Sequence, residues 1–168
     1  MKFYKSISPR EITDNIFTSI GKDAMLITAG DKMRFNTMTA SWGGMGVLWN
    51  KNVVFTFIRP QRYTFEFAEK SDMFTLCFFD REYKDALALC GTKSGRDIDK
   101  VSACGFTPME SHGGVYFNEA RLILVCKKMY GQFLDPAKFL SPEIEGYYSD
   151  KDYHKMFVGE IVEVLIRE

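Results

Sequence analysis

The sequence predicts a mainly β protein with peripheral α-helices, built as a mostly antiparallel barrel. Three observations carry that expectation. Roughly six or seven apolar, β-branched or aromatic runs are mixed irregularly with about three or four short helical segments, a pattern that disfavours a doubly wound parallel sheet. No G-x-G-x-x-G follows the first strand, so a dinucleotide-binding fingerprint is absent. Aromatic residues make up 15% of the chain, which suits a β-rich core, a subunit interface or a ring-binding cleft.

Taken in order, Ser8-Pro9-Arg10-Glu11 has the spacing of a capping box with Pro at the first position, and predicts a helix to about Thr18 with Ile12 and Ile16 on one face. Ala24 to Ala29 is a short apolar strand, Gly30-Asp31-Lys32 a turn, and Arg34 to Ser41 a second strand, so the two can pair as a hairpin. Val53 to Ile58 is a strand ended by Arg59-Pro60. Arg62 to Lys70 reads as a helix with Phe65 and Ala68 inward, Met73 to Phe79 as a strand, and Glu82 to Cys90 as a helix with Gly91 as its C-terminal cap. Val115 to Phe117 is a short strand. Arg121 to Met129 is a longer one, with Leu122, Leu124 and Cys126 opposite Ile123 and Val125. Residues 130 to 155 read as irregular. Met156 to Ile166 closes the fold, with Gly159 marking a bulge or a close approach.

The 168 residues form one domain, 1–168, long enough to bury a core without staples. Lys+Arg and Asp+Glu both total 22, so there is none of the basic excess of a nucleic-acid binder, and no patch favours a membrane surface. No apolar run approaches the ~18 residues of a membrane span. Residues 1 to 6 lack the apolar region of a signal peptide. Cys77, Cys90, Cys104 and Cys126 form no C-x-x-C, and His112 and His154 stand far apart, which argues against a structural zinc site. Free thiols and the lack of a leader lead us to expect a cytoplasmic protein. Cys90 and Cys104 flank one of the motifs below, but their spacing gives no sign of redox chemistry, so they read as packing thiols.

Two segments carry the chemistry. In Asn36-Thr37-Met38-Thr39-Ala40-Ser41-Trp42, alternating Thr37, Thr39 and Ser41 present hydroxyls on one side of a strand, with backbone groups between them and a Trp beside them. Such an edge suits the carbonyls of a flat, polar aromatic ring, and equally an ordinary polar edge strand. In Ser94-Gly95-Arg96-Asp97-Ile98-Asp99-Lys100, Ser94 and Asp97 have capping-box spacing, Gly95 permits close backbone approach, and Arg96 and Lys100 add charge for a phosphate at a helix start. Asp97 and Asp99 either orient Arg96 or cap the helix, and a plain capped surface helix fits the same residues. Arg59-Pro60-Gln61-Arg62-Tyr63-Thr64 gathers two arginines and a hydroxyl at a strand-to-helix turn, a second phosphate candidate or a solvated pair. His154, just before the last strand, is a candidate to contact a ring or donate a proton to it, or a structural histidine.

Together these segments resemble the flavin reductase-like family, whose members adopt an FMN-binding split barrel. The resemblance runs from about Ser19 to Val164 and rests on N-T-M-T-A-S-W at 36–42, R-P-Q-R-Y-T at 59–64, S-G-R-D-I-D-K at 94–100, and a closing H-K-M-F-V-G-E-I-V at 154–162. It implies that Thr37 to Trp42 face the isoalloxazine and ribityl chain of FMN. It also implies that Arg59, Arg62 and Thr64 line the ribityl or phosphate side, and that Ser94, Gly95, Arg96 and Lys100 hold the phosphate. His154 would lie where a nicotinamide or other substrate stacks. The resemblance implies a homodimer with NADH or NADPH as electron donor. The long, aromatic segment 130–153 is similar to the flavoredoxin-like branch at least as much as to reductase components of two-component monooxygenases. The expected activity is NAD(P)H-dependent flavin reduction with delivery to a second acceptor. The alternatives are an FMN electron carrier served by a protein, and a non-catalytic flavin binder. Oxidation of a pyridoxamine-type substrate has no motif support.

Overall fold

The computed structural model describes residues 2–168. Its strands are β1 (Tyr4–Ile7), β2 (Met25–Asp31), β3 (Arg34–Ala40), β4 (Gly43–Leu48), β5 (Lys51–Ile58), β6 (Met73–Phe78), β7 (Pro108–Ser111), β8 (Gly114–Phe117), β9 (Leu122–Phe133) and β10 (Lys155–Arg167). The α-helices are α1 (Ile16–Gly21), α2 (Tyr63–Lys70), α3 (Lys84–Thr92) and α4 (Lys100–Cys104). All strand pairs are antiparallel, and the main sheet runs β3-β2-β6-β9-β10-β5-β4, with β1 added beside β10. The two ends of that order, β3 and β4, are consecutive in the chain and joined by Ser41-Trp42 alone. The sheet therefore curls until its ends meet at that corner, leaving an open seam: a split barrel.

Alternation along the strands explains the curl. Met25, Ile27 and Ala29 of β2, Phe74, Leu76 and Phe78 of β6, and Leu122, Leu124 and Cys126 of β9 enter one cluster, which Met38, Val54 and Phe157 share from the sheet's other strands. The opposite face, carrying Leu26, Cys77, Ile123 and Val125, is buried beneath α3 and the β7–β8 hairpin through Leu87, Cys90, Tyr116 and Phe117. A face so covered needs apolar residues at successive positions, which is why these runs look continuous in the sequence. The β4–β5 turn, Trp49-Asn50, has φ of 53° and 56°, the conformation of a two-residue hairpin matched to strand twist. His112 (φ 50°) and Gly113 (φ 79°) make the corresponding turn between β7 and β8.

β10 organises the barrel. Lys155–Glu160 pair with β5 and residues 164–167 with β1, while β9 runs along the other edge. Its register slips between Val158 and Gly159, where the sequence places a bulge, and a Cβ on Gly159 would lie 2.4 Å from Phe74 Cζ and 3.0 Å from Cys126 Cβ. Gly159→Ala is therefore expected to destabilise the fold by about 1–3 kcal/mol through overpacking, read as a lower urea midpoint with an unchanged slope. An unchanged midpoint would show that Phe74 has room to retreat.

Several expectations change. The helix expected from Ser8 to Thr18 is two pieces. Ser8 and Glu11 do form the capping box, but over a single 3-10 turn, Pro9–Glu11, and the chain extends at Ile12 before Asn15 caps α1. Asp14 lies in the break because its carboxylate pairs with Arg121 at 2.6 Å and accepts from Ser19, a tertiary demand that overrides local propensity. Gly91 does not cap α3; the helix continues to Thr92, and Gly91 is small because a Cβ there would stand 3.3 Å from Thr39 Cβ. No helix starts at Ser94: residues 94–98 form a turn closed by Asp97 and Ile98 N–H groups on the Ser94 carbonyl, and α4 begins at Lys100 under an Asp99 cap. The stretch read as irregular after 130 still belongs to β9 as far as Phe133. β1, β4 and β7 have no strong local signal and exist through their partners. No helix among the described residues is long and apolar enough to cross a membrane.

Candidate functional site

The segments singled out in the sequence converge at the seam. Below the Ser41-Trp42 corner a cavity of about 200 Å³ is lined by Met38, Thr39, Ala40, Ser41 and Trp42 from β3 and its exit, Phe57 and Arg59 from the end of β5, Arg62, and His154. A second cavity of about 120 Å³ is lined by Asn36, Thr64 and Arg62 with Gly91, Lys93, Ser94, Gly95 and Lys100. Arg62 lines both, so they adjoin as an aromatic arm and a basic arm. Of the predicted residues only Thr37 and Arg96 line neither.

β3 is the terminal strand of the sheet, so half of its backbone polar groups have no strand partner. The Thr37 carbonyl is one of these, because it accepts from Lys100 Nζ at 2.9 Å. Period two and the shared direction of N–H and C=O then turn the amides of Thr37 and Thr39 toward the open edge. The threonine hydroxyls, expected to face a ligand, are spent inside the protein. Thr37 donates to the Ile27 carbonyl at 3.2 Å and accepts from Thr28, and Thr39 donates to the Leu87 carbonyl at 2.5 Å. Only Ser41 is exposed. What β3 offers is therefore backbone.

The basic arm is braced from two helices. Lys100 is buried, and its ammonium bridges the Thr37 and Cys90 carbonyls, 2.9 Å from each. Burial pulls it below the ordinary lysine range, with the nearby Arg62 adding to the same direction and Cys90 opposing it. Arg62 donates to the Gly91 carbonyl at 2.9 Å and the Cys90 carbonyl at 3.4 Å, and burial likewise pulls it down. Asn36 donates to Thr64 Oγ1 at 2.7 Å, and Gly95 packs against its side chain so closely that a Cβ would fall 1.9 Å from Asn36 Oδ1. Arg96 is turned to the surface: its guanidinium lies 4.5 Å over the Tyr63 ring, pairs with Glu66, and with Thr37, Asp97 and Asp99 lines an adjoining groove of about 680 Å³ that shares Asn36, Gly95 and Lys100 with the basic arm.

The aromatic arm ends in a packed cluster. Trp42 lies 5.0 Å from the His154 ring and edge-on to Tyr147 at 5.5 Å, and Tyr148 meets His154 at 5.6 Å. The Tyr148 hydroxyl shares a 2.9 Å hydrogen bond with His154 Nδ1. Arg59 pairs with Asp152 at 2.5 Å and donates to the Tyr147 carbonyl at 2.9 Å, tying the 141–153 segment to the end of β5. The Arg59 guanidinium in turn holds the Asp152 carboxyl below its usual range.

Burial, helped by the Arg59 cation and opposed by Asp152, pushes the His154 imidazole down to about 4. His154 is thus neutral near pH 7 and is no reservoir of an acidic proton, as the sequence reading had allowed; it can still offer a neutral ring nitrogen to a ligand. Because the unfolded chain takes up a proton near the ordinary value of about 6.5 and the folded chain only near 4, stability falls as pH drops through that window. From about pH 7 to about pH 5 the loss is expected to be about 1–2 kcal/mol. His154→Gln should lose that share of the acid sensitivity in urea titrations; a wild-type slope in the variant would assign the effect to other groups.

Phe57, Gly91 and Lys93 also line the site and were not singled out in the sequence. Lys93 adjoins the Ser94 motif and could have been included. Gly91 was legible only as a helix cap, and Phe57 only as a strand residue. His112 stays structural, in its hairpin turn with Nε2 3.9 Å from Glu163. A larger cavity of about 360 Å³ between the β2–β3 turn and the end of α2 contains none of the predicted residues.

Fold and site define a mostly antiparallel split barrel with a two-armed cleft at its seam. The chain belongs to the flavin reductase-like family: residues 17–168 match the flavin reductase like domain. Among solved structures it is similar to an FMN-binding domain of a flavin reductases-like enzyme from Shewanella baltica OS155 (TM-score 0.70, 16% identity, 98% of this chain and 78% of that one). It is also similar to the flavoredoxin of Desulfovibrio vulgaris (Miyazaki F) (0.68, 22%, 86% and 69%). A third is nitrilotriacetate monooxygenase component B from Bacillus cereus (0.68, 17%, 98% and 82%). No curated protein matches by sequence.

Proposed function

We propose that the chain is an FMN-dependent oxidoreductase that takes a hydride from NADH or NADPH and delivers electrons to a second acceptor. The observation that carries this is the pair of cavities joined at Arg62, one walled by an edge strand and aromatic rings, the other by Gly95, Lys93 and Lys100. The donor set fits the cofactor. The outward amide of Thr39 and the exposed Ser41 would meet the ring carbonyls, Arg62 would lie beside the ribityl chain, and the Ser94-Gly95 turn with Lys93 and Lys100 would hold the phosphate. The missing Cβ at position 95 keeps that turn against Asn36. When bound, FMN supplies the capacity to accept a hydride and release electrons singly or in pairs. The chain's own residues would position it: β3 at the ring edge, Trp42 and Phe57 as apolar walls of the cavity, and neutral His154, bonded to Tyr148, with a hydrogen-bonding nitrogen beside the ring pocket.

A second reading has one observation in its favour. Tyr147 and His154 pack against Trp42, and Tyr148 against His154, at the aromatic arm, where they would hinder a nicotinamide. A protein so covered would serve as an FMN electron carrier reduced by a redox partner. The exposed Val47, Trp49 and Tyr130, with Trp49 6.3 Å from Tyr130, supply an apolar surface for the second copy of a homodimer.

The visible spectrum of protein mixed with FMN, followed without air after adding NADH or NADPH, separates these readings. Rapid bleaching of a bound flavin band supports the reductase. A band that only dithionite bleaches supports the carrier. Absence of any bound flavin overturns both.

A further inference from the structure

The two thiols that spacing leaves as packing groups face each other across two helices. Cys90 lies in α3 and is wholly buried; Cys104 ends α4 and is partly exposed. Their Sγ atoms are 3.7 Å apart, and both are free. A disulfide needs about 2.05 Å, so closure requires an approach of only about 1.6 Å. The shorter helix can supply it: α4 has five residues, and Gly105, which follows in the left-handed region at φ 66°, has nothing within 4 Å of a would-be Cβ. Cys77 and Cys126 are wholly buried in different clusters.

We propose that Cys90 and Cys104 are a site of reversible covalent modification, closing to an intramolecular disulfide under peroxide and thereby weakening the basic arm of the neighbouring cleft. The second half rests on the FMN reading above. The chemistry balances with hydrogen peroxide as oxidant. The Cys104 thiolate attacks one peroxide oxygen, an S–O bond forms as O–O breaks, and the departing hydroxide is protonated to water. Cys90 sulfur then attacks Cys104 Sγ; S–S forms, S–O breaks, and the leaving hydroxide carries off the Cys90 proton as a second water. Two thiols thus give two electrons and two protons to one peroxide, and a thiol reductant restores them. Exposure assigns the order: Cys104 is reachable, and Cys90 resolves. Burial, reinforced by Cys104 and opposed by Lys100 and Arg62, pushes the Cys90 thiol up to about 12, so Cys90 stays protonated until its proton leaves with the hydroxide and the 3.7 Å contact rather than thiolate character drives the second step.

Coupling to the cleft is built into both ends of the bridge. The Cys90 carbonyl accepts from Lys100 Nζ at 2.9 Å and Arg62 at 3.4 Å, and the Gly91 carbonyl accepts from Arg62 at 2.9 Å. Lys100 is the first residue of the helix that Cys104 ends. Drawing the sulfurs together moves the last turn of α3 against α4 and alters the geometry at both cations of the basic arm.

The test uses the full chain treated with hydrogen peroxide, then alkylated and digested without reductant. A cross-linked peptide about 2 Da lighter than the sum of its two free-thiol peptides, joining Cys90 to Cys104 with Cys77 and Cys126 still alkylated, is the expected result. Cys104→Ser should lose no such mass. Four alkylatable thiols after treatment, or sulfinic acid at Cys104 without a cross-link, would overturn the site. On the disulfide form FMN is expected to bind about tenfold more weakly, as for one charge-assisted hydrogen bond, with thiol reductant restoring affinity and Cys104→Ser insensitive to peroxide. Equal affinity in both states would overturn the coupling. Failure of the reduced protein to bind FMN would sink the coupling together with the reading of the cleft, while the cross-link stands or falls on the mass alone.

Discussion

Lys100→Met is expected to lower stability by about 2–4 kcal/mol and to weaken FMN by more than about tenfold, with riboflavin affected much less. Methionine matches the lysine stem in length and shape, so packing is nearly conserved and the change isolates the ammonium. That ammonium is buried and donates to two carbonyls on different elements, Thr37 on β3 and Cys90 on α3. Neither carbonyl is left wholly bare, since Asn36 reaches Thr37 at 3.3 Å and Arg62 reaches Cys90 at 3.4 Å. Both substitutes are long, however, and the loss of two short charge-assisted bonds should exceed what they recover. Urea unfolding without ligand reads the structural share, and fluorescence titrations with FMN and riboflavin read the phosphate share. Equal weakening of both ligands would place Lys100 away from the phosphate, and an unchanged urea midpoint would mean that water replaces its bonds.

The same residue shows what the sequence could and could not disclose. Lys100 was legible as part of a charged motif, but as a solvated cation at a phosphate site, in company with Arg96. Burial separates the two. Lys100 is drawn under the sheet edge because β3, as the terminal strand, has carbonyls to satisfy, whereas Arg96 finds an aromatic face and an acid at the surface in Tyr63 and Glu66. Neither outcome has a local signature. The strands that alternate or run continuously apolar, such as β2, β6 and β9, were legible because burial on one or both faces writes itself into every residue. β4, written Gly43-Gly44-Met45-Gly46-Val47-Leu48, was not, because its strand character comes from pairing with β5 rather than from propensity. The Cys90–Cys104 contact was hidden because it joins two helices across the turn at 94–98, and a spacing of fourteen residues carries no local sign of it.

Gly95→Ala is expected to disable the basic arm without altering any charge. A Cβ at this position would stand 1.9 Å from Asn36 Oδ1, 2.9 Å from its Cγ and 3.3 Å from Tyr63 Cδ1, far inside contact distance. Asn36 is buried and held by its 2.7 Å bond to Thr64, itself fully buried, so the side chain cannot swing aside without leaving a hydroxyl unpaired. Either that bond breaks or the 94–98 turn lifts from β3, carrying Ser94 away from Lys93 and Lys100. The expected loss is about 2–4 kcal/mol of stability for the first course, and more than about tenfold in FMN affinity for the second. A double-mutant cycle distinguishes a specific clash from general intolerance at this loop. Asn36→Ala alone should destabilise by about 1–2 kcal/mol, but with the amide gone the new methyl has space, so Gly95→Ala in that background should cost little more. Additive losses would mean that the glycine is needed for its own backbone rather than for its neighbour. Strong non-additivity would show that the turn and the edge strand are fitted to one another through this pair, which lines the basic arm from both sides.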